Sequence, residues 1–113
     1  MGVTIYHNPR CSKSRQTLDL LNDNGIEPNV VEYLTDVPSA DVLRRIVTLL
    51  GISPRDLMRP KEAKEAGLND ASLSDDALII GMAEHPAVIQ RPIVVNNDKA
   101  AIGRPPEAVL EIL

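Results

Sequence analysis

The chain has 113 residues, 43% of them hydrophobic, which is enough for one domain with an ordinary core. It has two Tyr, no Phe and no Trp and a net charge of -4, so both the stacking surface and the overall basic footprint of nucleic-acid-binding proteins are missing. No apolar run approaches the roughly 18 residues of a membrane span and no signal pattern opens the chain, so we expect a cytoplasmic protein that binds no membrane.

The first predicted element is a short strand that leads to the only cysteine of the chain. Residues 3–6 read as a brief β-segment, and Asn8-Pro9 is a turn signal. Apolar residues then recur at helical spacing, which predicts a helix from about Ser12 to Asn24 with Gly25 in the C-terminal capping position. Cys11 therefore falls at or just before the first helical turn.

That position favours a reactive cysteine. The first N–H groups of a helix have no intrahelical partner, so they stabilise a thiolate and can also hold an oxyanion. Basic side chains within four residues of Cys11 favour the thiolate as well: His7, Arg10, Lys13 and Arg15. The alternative is that Cys11 is a small buried apolar residue, as many free cysteines are.

A single cysteine limits the chemistry. Cys11 cannot form an intramolecular disulfide, and a Cys-rich metal site cannot be assembled, so we expect no bound metal and no tightly bound cofactor. Any redox cycle through Cys11 must therefore be completed by an external thiol.

The rest of the chain predicts an α/β protein. A second strand near 29–32 completes a βαβ unit, helical patterns with Ser N-caps follow over about 39–90, and a hairpin of 93–95 with 100–102 precedes a terminal helix. In that helix we expect Val109, Leu110, Ile112 and Leu113 to face the core. This order is the thioredoxin-like plan: one domain over 1–113 with a four-stranded mixed sheet and a helical insertion between its βαβ and ββα halves.

Two Arg-Pro pairs flank the predicted hairpin. Arg91-Pro92 precedes its first strand and Arg104-Pro105 follows its second, so the two arginines should be neighbours in space. Guanidinium groups bind tetrahedral oxyanions through paired hydrogen bonds. Two solvated surface arginines are the alternative.

The chain resembles the glutaredoxin-coupled arsenate reductases, within the superfamily that includes Spx-type regulators. The resemblance rests on VTIYHNPRC, GISPRDLMR, LSDDALI, HPAVIQRPIVV and RPPEAVLEIL. It implies that Cys11 is the nucleophile and His7 its motif histidine. It also implies that the oxyanion is bound by Arg59, Arg91 and Arg104 and that Pro92 follows a cis peptide bond.

The resemblance also implies a reaction and its partners. Cys11 attacks arsenate, glutathione acts as co-substrate on the adduct, and a glutaredoxin removes the glutathione left on Cys11. We expect a monomer. Two other functions stay open: a glutathione-dependent reductase of another substrate, and a Spx-like regulator that binds RNA polymerase. Ser14 stands where many such regulators have a second cysteine.

Three assignments within this site have alternatives. His7 could stabilise the thiolate or be packed and inert. Ser14 could donate to the bound anion or simply cap the first helix. Arg55 could replace Arg59 in the anion site, because both lie on one predicted helix four residues apart.

Overall fold

The computed structural model describes residues 2–113, which form two compact units. One unit consists of the residues up to Asp36 together with Arg91–Leu113, and the other of Val37–Gln90. The second unit spans nearly the same residues as the predicted helical insertion. That both units belong to a single domain stays a prediction.

The first unit contains a four-stranded mixed sheet, which confirms the predicted fold class. Its elements are β1 Val3–His7, α1 Ser12–Asp23, β2 Asn29–Glu32, β3 Ile93–Asn96, β4 Lys99–Ile102 and a 3-10 helix Pro106–Ile112. The strand order is β2-β1-β3-β4; β1 is parallel to β2 and antiparallel to β3, and β3 and β4 form the predicted hairpin. The parallel pair and the hairpin are the βαβ and ββα halves of a thioredoxin-like fold.

The register of the central strand determines what lies at the site edge of the sheet. His7 at the end of β1 pairs with Glu32 at the end of β2, and Tyr6 pairs with Ile93 at the start of β3. The loops after β1 and β2 and the loop before β3 therefore leave the sheet at one edge. Beneath them lies a buried aliphatic cluster of Ile5, Leu21, Val94 and Val109.

The terminal helix differs from the prediction. It is a 3-10 helix, whose three residues per turn bring every third side chain to one face. Val109 is fully buried three residues after the buried Pro106, whereas Leu110 and Leu113 are 40% and 43% exposed. The expectation that Leu110 and Leu113 face the core is therefore wrong, because it assumed the 3.6-residue period of an α-helix.

The second unit is mainly helical, as predicted. Its elements are α2 Ala40–Leu50, a 3-10 turn Pro54–Leu57, α3 Pro60–Glu65, α4 Asp75–Glu84 and a 3-10 turn Pro86–Val88. Ser39 and Ser74 cap α2 and α4, each accepting a hydrogen bond of 3.2 Å from the backbone N–H three residues later. These caps satisfy N–H groups that a helix terminus leaves without partners.

Candidate active site

Cys11 is the N-cap residue of α1, where the chain turns from the β1 loop into the helix. Its backbone is extended (φ -93°, ψ 123°), its N–H donates to the Asn8 carbonyl at 3.0 Å, and its own carbonyl accepts the first helical bond from Arg15. The half-buried thiol stays accessible. The structure thus places the sulfur beside the free N–H groups of the first turn, as the sequence predicts.

The surroundings of Cys11 favour its thiolate. Burial raises the pKa of the thiol, but the backbone N–H of Ser14, the Arg91 guanidinium and the backbone N–H of Lys13 act in the opposite direction and the net pKa is lowered. Hydrogen bonds and a positive charge directed at an anion stabilise it relative to its neutral form. The site therefore favours the thiolate of Cys11, and its role as the nucleophile stays a prediction.

Two arginines from the hairpin reach Cys11. Nη2 of Arg104 lies 3.6 Å from the sulfur, and Nε of Arg104 donates to the Arg91 carbonyl at 2.7 Å. The pairing of Ile93 with Ile102 brings the two hairpin ends together. The peptide bonds before Pro92 and Pro105 are both cis. Two guanidinium groups beside the thiol can receive an oxyanion that the thiolate attacks.

Gly103 holds the Arg104 loop close to α1. A Cβ atom at Gly103 would lie 2.5 Å from Oγ1 of the buried Thr17 and 2.7 Å from Cγ of Pro92, and the Gly103 N–H donates to the Pro92 carbonyl at 2.9 Å. A contact under 3.0 Å forces a neighbouring atom to move, and neither the Pro92 ring nor the short side chain of the buried Thr17 is the far end of a flexible side chain, so glycine is favoured here. The sequence analysis missed this residue, because its role arises from packing between segments far apart in the chain.

Ser14 is fully buried, and its hydroxyl points away from solvent. The oxygen accepts from the Asn8 N–H at 3.0 Å and lies 2.6 Å from Nδ1 of His7. Burial lowers the pKa of His7; Glu32 raises it and Arg15 lowers it further. His7 is therefore mainly neutral at pH 7. Its ring contacts the Ser14 hydroxyl, and the backbone N–H of Ser14 stabilises the Cys11 thiolate. Donation by the Ser14 hydroxyl to a bound anion stays a prediction.

Arg59 and Arg55 both belong to the helical unit. Nε of Arg59 pairs with Glu62 at 3.0 Å, its Nη1 donates to Gln90 at 3.3 Å, and its backbone N–H donates to Val88. Nη2 of Arg55 donates to two backbone carbonyls, those of Asp70 and Leu73. Arg55 thus fastens the loop before α4. The two arginines do not share one helix as predicted, because Arg55 lies in the 3-10 turn Pro54–Leu57 and Arg59 is the N-cap of α3. The convergence of Arg59 with Cys11 stays a prediction.

A second residue that the sequence analysis missed is Tyr33, directly after β2. It is 1% exposed, and its hydroxyl makes no hydrogen bond of ordinary geometry among the described residues. Burial raises the pKa of Tyr33, whereas the nearby Arg91 guanidinium and Asn8 amide lower it. Arg91 and Cys11 both influence the pKa of this buried phenol, so Tyr33 borders the candidate site. The scarcity of aromatic residues in this chain is the only sequence signal that points to it.

Two further properties concern the described residues as a whole. Residues 2–113 contain no cluster of three or more His, Cys, Asp or Glu side chains able to hold a metal ion. Over the same residues, every helix is too short or too polar to cross a membrane.

Comparison with known proteins connects this geometry to a family. The ArsC family model matches residues 6–112. The Haemophilus influenzae protein named arsenate reductase is 51% identical over 116 residues, which cover 100% of both chains. The Escherichia coli protein YfgD is 58% identical over 98% of this chain and 96% of its own length. A solved structure entitled arsenate reductase from Vibrio cholerae superimposes with a TM-score of 0.96 at 57% identity, covering 100% of this chain and 98% of the other.

Proposed function

The chain belongs to the ArsC family, and from that premise we propose that it reduces arsenate to arsenite with glutathione and a glutaredoxin as the external thiols. The observation that carries this proposal is the activated thiol of Cys11 beside two arginines. Relatives named arsenate reductase, which match over the whole chain, support the substrate.

The first step forms a bond between sulfur and arsenic. The Cys11 thiolate attacks the arsenic of a bound arsenate, and one arsenate oxygen takes up protons and leaves as water. Arg91 and Arg104 compensate the negative charge of the oxyanion, which would otherwise repel the thiolate. We propose that Arg59 from the helical unit is the third cation at this anion. No electron has moved yet, since arsenic remains As(V).

The second step transfers two electrons. A glutathione thiolate attacks the Cys11 sulfur, the electron pair of the sulfur–arsenic bond stays on arsenic, and As(V) becomes As(III). The two sulfurs, each oxidised by one electron, form a mixed disulfide. A glutaredoxin thiolate then accepts the glutathionyl group by exchange and regenerates Cys11. The single cysteine fits this scheme, because a chain that resolves its own adduct needs a second one.

An assay with purified components tests the function. We expect arsenate-dependent NADPH consumption in a mixture of this protein, glutathione, glutathione reductase and a glutaredoxin, and none with Cys11→Ser. Intact mass should show the oxidised protein carrying one glutathione. Full turnover with thioredoxin and no glutathione would refute the proposed partners. Absence of turnover, with Cys11 activation and phosphate binding retained, would instead point to another substrate.

A further inference from the structure

A cavity of about 270 Å³ lies beside the Cys11 loop, on the side of β2. It is lined by residues 7–10 at the end of β1 and by Glu32, Leu34 and Thr35 at the end of β2, all of them in the sheet unit. Small-molecule sites commonly have volumes of roughly 300 to 1,000 Å³. This cavity therefore has room for one end of a small peptide.

Hydrogen bonds within the sheet unit fix both walls of the cavity. In the first wall, Oδ1 of Asn8 accepts from the Arg10 N–H at 3.0 Å, and the Asn8 N–H donates to Oγ of the buried Ser14 at 3.0 Å. In the second wall, the Glu32 carbonyl accepts from the N–H and the hydroxyl of Thr35 at 3.0 Å and 3.2 Å. The cavity is thus formed before a ligand binds, which lowers the cost of binding.

Two side chains of opposite charge face each other across the cavity. Arg10 and Glu32 are both exposed, and within residues 2–113 neither the guanidinium nor the carboxylate makes a hydrogen bond or an ion pair. Pro9 and Leu34 supply apolar surface beside them. A carboxylate binds an ammonium group and a guanidinium binds a carboxylate, so the pair matches a zwitterion. The γ-glutamyl end of glutathione has both groups on one carbon atom.

The strand order places this cavity and the hairpin arginines on opposite sides of β1. In the order β2-β1-β3-β4, β2 lies on one side of β1 and the hairpin on the other. Nη2 of Arg104 is 3.6 Å from the Cys11 sulfur, so an oxyanion held by the hairpin arginines lies on the hairpin side of the sulfur. The β2 side remains for a second reactant.

The second step of the proposed reaction needs such an arrangement. When a glutathione thiolate attacks the Cys11 sulfur, the sulfur–sulfur bond forms as the sulfur–arsenic bond breaks, and the electron pair of the broken bond stays on arsenic. The attacking sulfur, the Cys11 sulfur and arsenic lie nearly in line during this substitution. With arsenic on the hairpin side, glutathione approaches from the β2 side.

The cavity is close enough to Cys11 for one tripeptide to reach both. The Cys11 N–H donates to the Asn8 carbonyl at 3.0 Å and closes a turn, whose first and last Cα atoms are within about 7 Å of each other. An extended tripeptide is about 10 Å long. Its central thiol can therefore meet the Cys11 sulfur while one end occupies the cavity.

We propose that this cavity is the glutathione subsite, in which Glu32 binds the α-ammonium group and Arg10 the α-carboxylate of the γ-glutamyl end. The inference rests on the proposed function, which makes glutathione the external thiol. Its first two tests use no arsenate, so the two can fail separately.

The first test uses S-methylglutathione, which cannot form a disulfide, so that only binding is measured. In a titration followed by amide NMR, we expect the shifts to centre on the residues of the cavity. Glu32→Gln and Arg10→Gln each remove one charge and should raise the Kd roughly three- to tenfold. The matched controls are Glu27→Gln, at the other end of β2, and Arg44→Gln on α2, which should leave the Kd unchanged.

The second test asks which end of the peptide the cavity holds. S-Methyl-γ-glutamylcysteine keeps the zwitterionic end and should bind within about twofold of S-methylglutathione. S-Methylcysteinylglycine lacks that end and should bind roughly tenfold more weakly, with no further loss in Glu32→Gln. In the arsenate assay, Glu32→Gln should raise the KM for glutathione and leave the KM for arsenate unchanged.

The outcomes separate this inference from the proposed function. NMR shifts confined to the hairpin overturn the subsite, and so do Kd values of Glu32→Gln and Arg10→Gln that equal those of the controls. Equal binding of the two truncated peptides overturns the assignment of the γ-glutamyl end. If arsenate is not reduced but the cavity shifts and the Glu32→Gln effect are found, the proposed function fails and the subsite stands. Arsenate turnover with an unchanged glutathione KM in both variants overturns the subsite alone.

Discussion

Nη2 of Arg104 lies 3.6 Å from the sulfur of Cys11, although 93 positions separate the two residues in the chain. Arg104 lies in the loop after β4, and Cys11 is the N-cap residue of α1. A contact between such distant segments indicates that the fold itself builds the site.

Cys11 should be alkylated by iodoacetamide at a lower pH than a model thiol. Its pKa is lowered because the N–H of Ser14 and the Arg91 guanidinium outweigh burial. We therefore expect the thiolate fraction to rise through a midpoint below that of a free cysteine. The measurement is the alkylation rate against pH, with intact mass to confirm single modification. A midpoint at or above that of the model thiol would contradict an activated nucleophile.

Arg91 and Arg104 should each contribute to anion affinity. One charge-assisted hydrogen bond is worth about 1.5 to 3 kcal/mol, so Ala at either position should reduce kcat/KM for arsenate roughly tenfold to more than a hundredfold. Lys at either position should restore only part of the lost kcat/KM, because an ammonium group supplies the charge but not the paired hydrogen bonds of the planar guanidinium. Arg44→Ala is the matched control, since Arg44 pairs with Asp41 and Asp76 at the surface.

If Arg91 and Arg104 only anchor the hairpin, their Ala variants would lose thermal stability but keep activity at low temperature. Phosphate protection of Cys11 provides a separate check. Protection that is unchanged in both Ala variants would place the anion site elsewhere.

Gly103→Ala should cost stability and disturb Arg104. Its Cβ atom would meet Thr17 and Pro92 at 2.5 Å and 2.7 Å, and overpacking of this kind costs about 1 to 3 kcal/mol. Gly81→Ala is the control: its Cβ meets the end of the Leu68 side chain, which can move, and α4 gains helix propensity. Urea unfolding and phosphate protection measure the two effects.

A double variant checks the cause of this loss. Thr17→Ala removes the Oγ1 and Cγ2 atoms that Gly103→Ala would meet, so the two substitutions together should cost less than their sum. Strict additivity would show that the contact with Thr17 is not responsible.

His7 should make stability depend on pH. Burial holds its pKa below the unfolded value of about 6.5, so below that pH the unfolded chain binds more protons than the folded one. Its contribution to stability is therefore complete above about pH 6.5 and is lost as the pH falls towards the folded pKa. His7→Gln should flatten the change in urea midpoint over this window, while His85→Gln at an exposed position should not. Parallel curves for the parent and His7→Gln would refute the assignment.

Much of the fold could be predicted because its signals are local. Ser39 and Ser74 predict the starts of α2 and α4. Gly51 ends α2 in a left-handed conformation with φ 68°, and the β-branched run at 93–95 predicts the first strand of the hairpin. The adjacency of β1 with β2 follows from the βαβ unit, and that of β3 with β4 follows from the hairpin. The type of the C-terminal helix was not predictable in this way, because an amphipathic segment of seven residues fits both the 3.6-residue period of an α-helix and the three-residue period of a 3-10 helix.

The site was predictable to the extent that its residues are chemically distinctive. A lone cysteine at a helix start indicates thiol chemistry, and arginines beside prolines at the ends of a hairpin indicate an oxyanion site, whatever the fold. Tyr33 and Gly103 carry no such signal: Tyr33 is distinguished by its burial after β2, and Gly103 by the absence of a Cβ atom beside Thr17. Both properties exist only after distant segments have packed.

The sheet unit is formed by two stretches of chain, the residues up to Asp36 and Arg91–Leu113, and this has a consequence for the nascent chain. Arg104, the neighbour of Cys11 in space, is made 93 residues after it. At about 5 to 20 residues per second, ribosomal synthesis of that interval takes roughly 5 to 20 s. During this time the thiol lacks the hairpin cations Arg91 and Arg104, so only the local N–H groups of Lys13 and Ser14 can stabilise its thiolate. The cationic part of the Cys11 environment is thus complete only after the hairpin has been synthesised and has paired with β1.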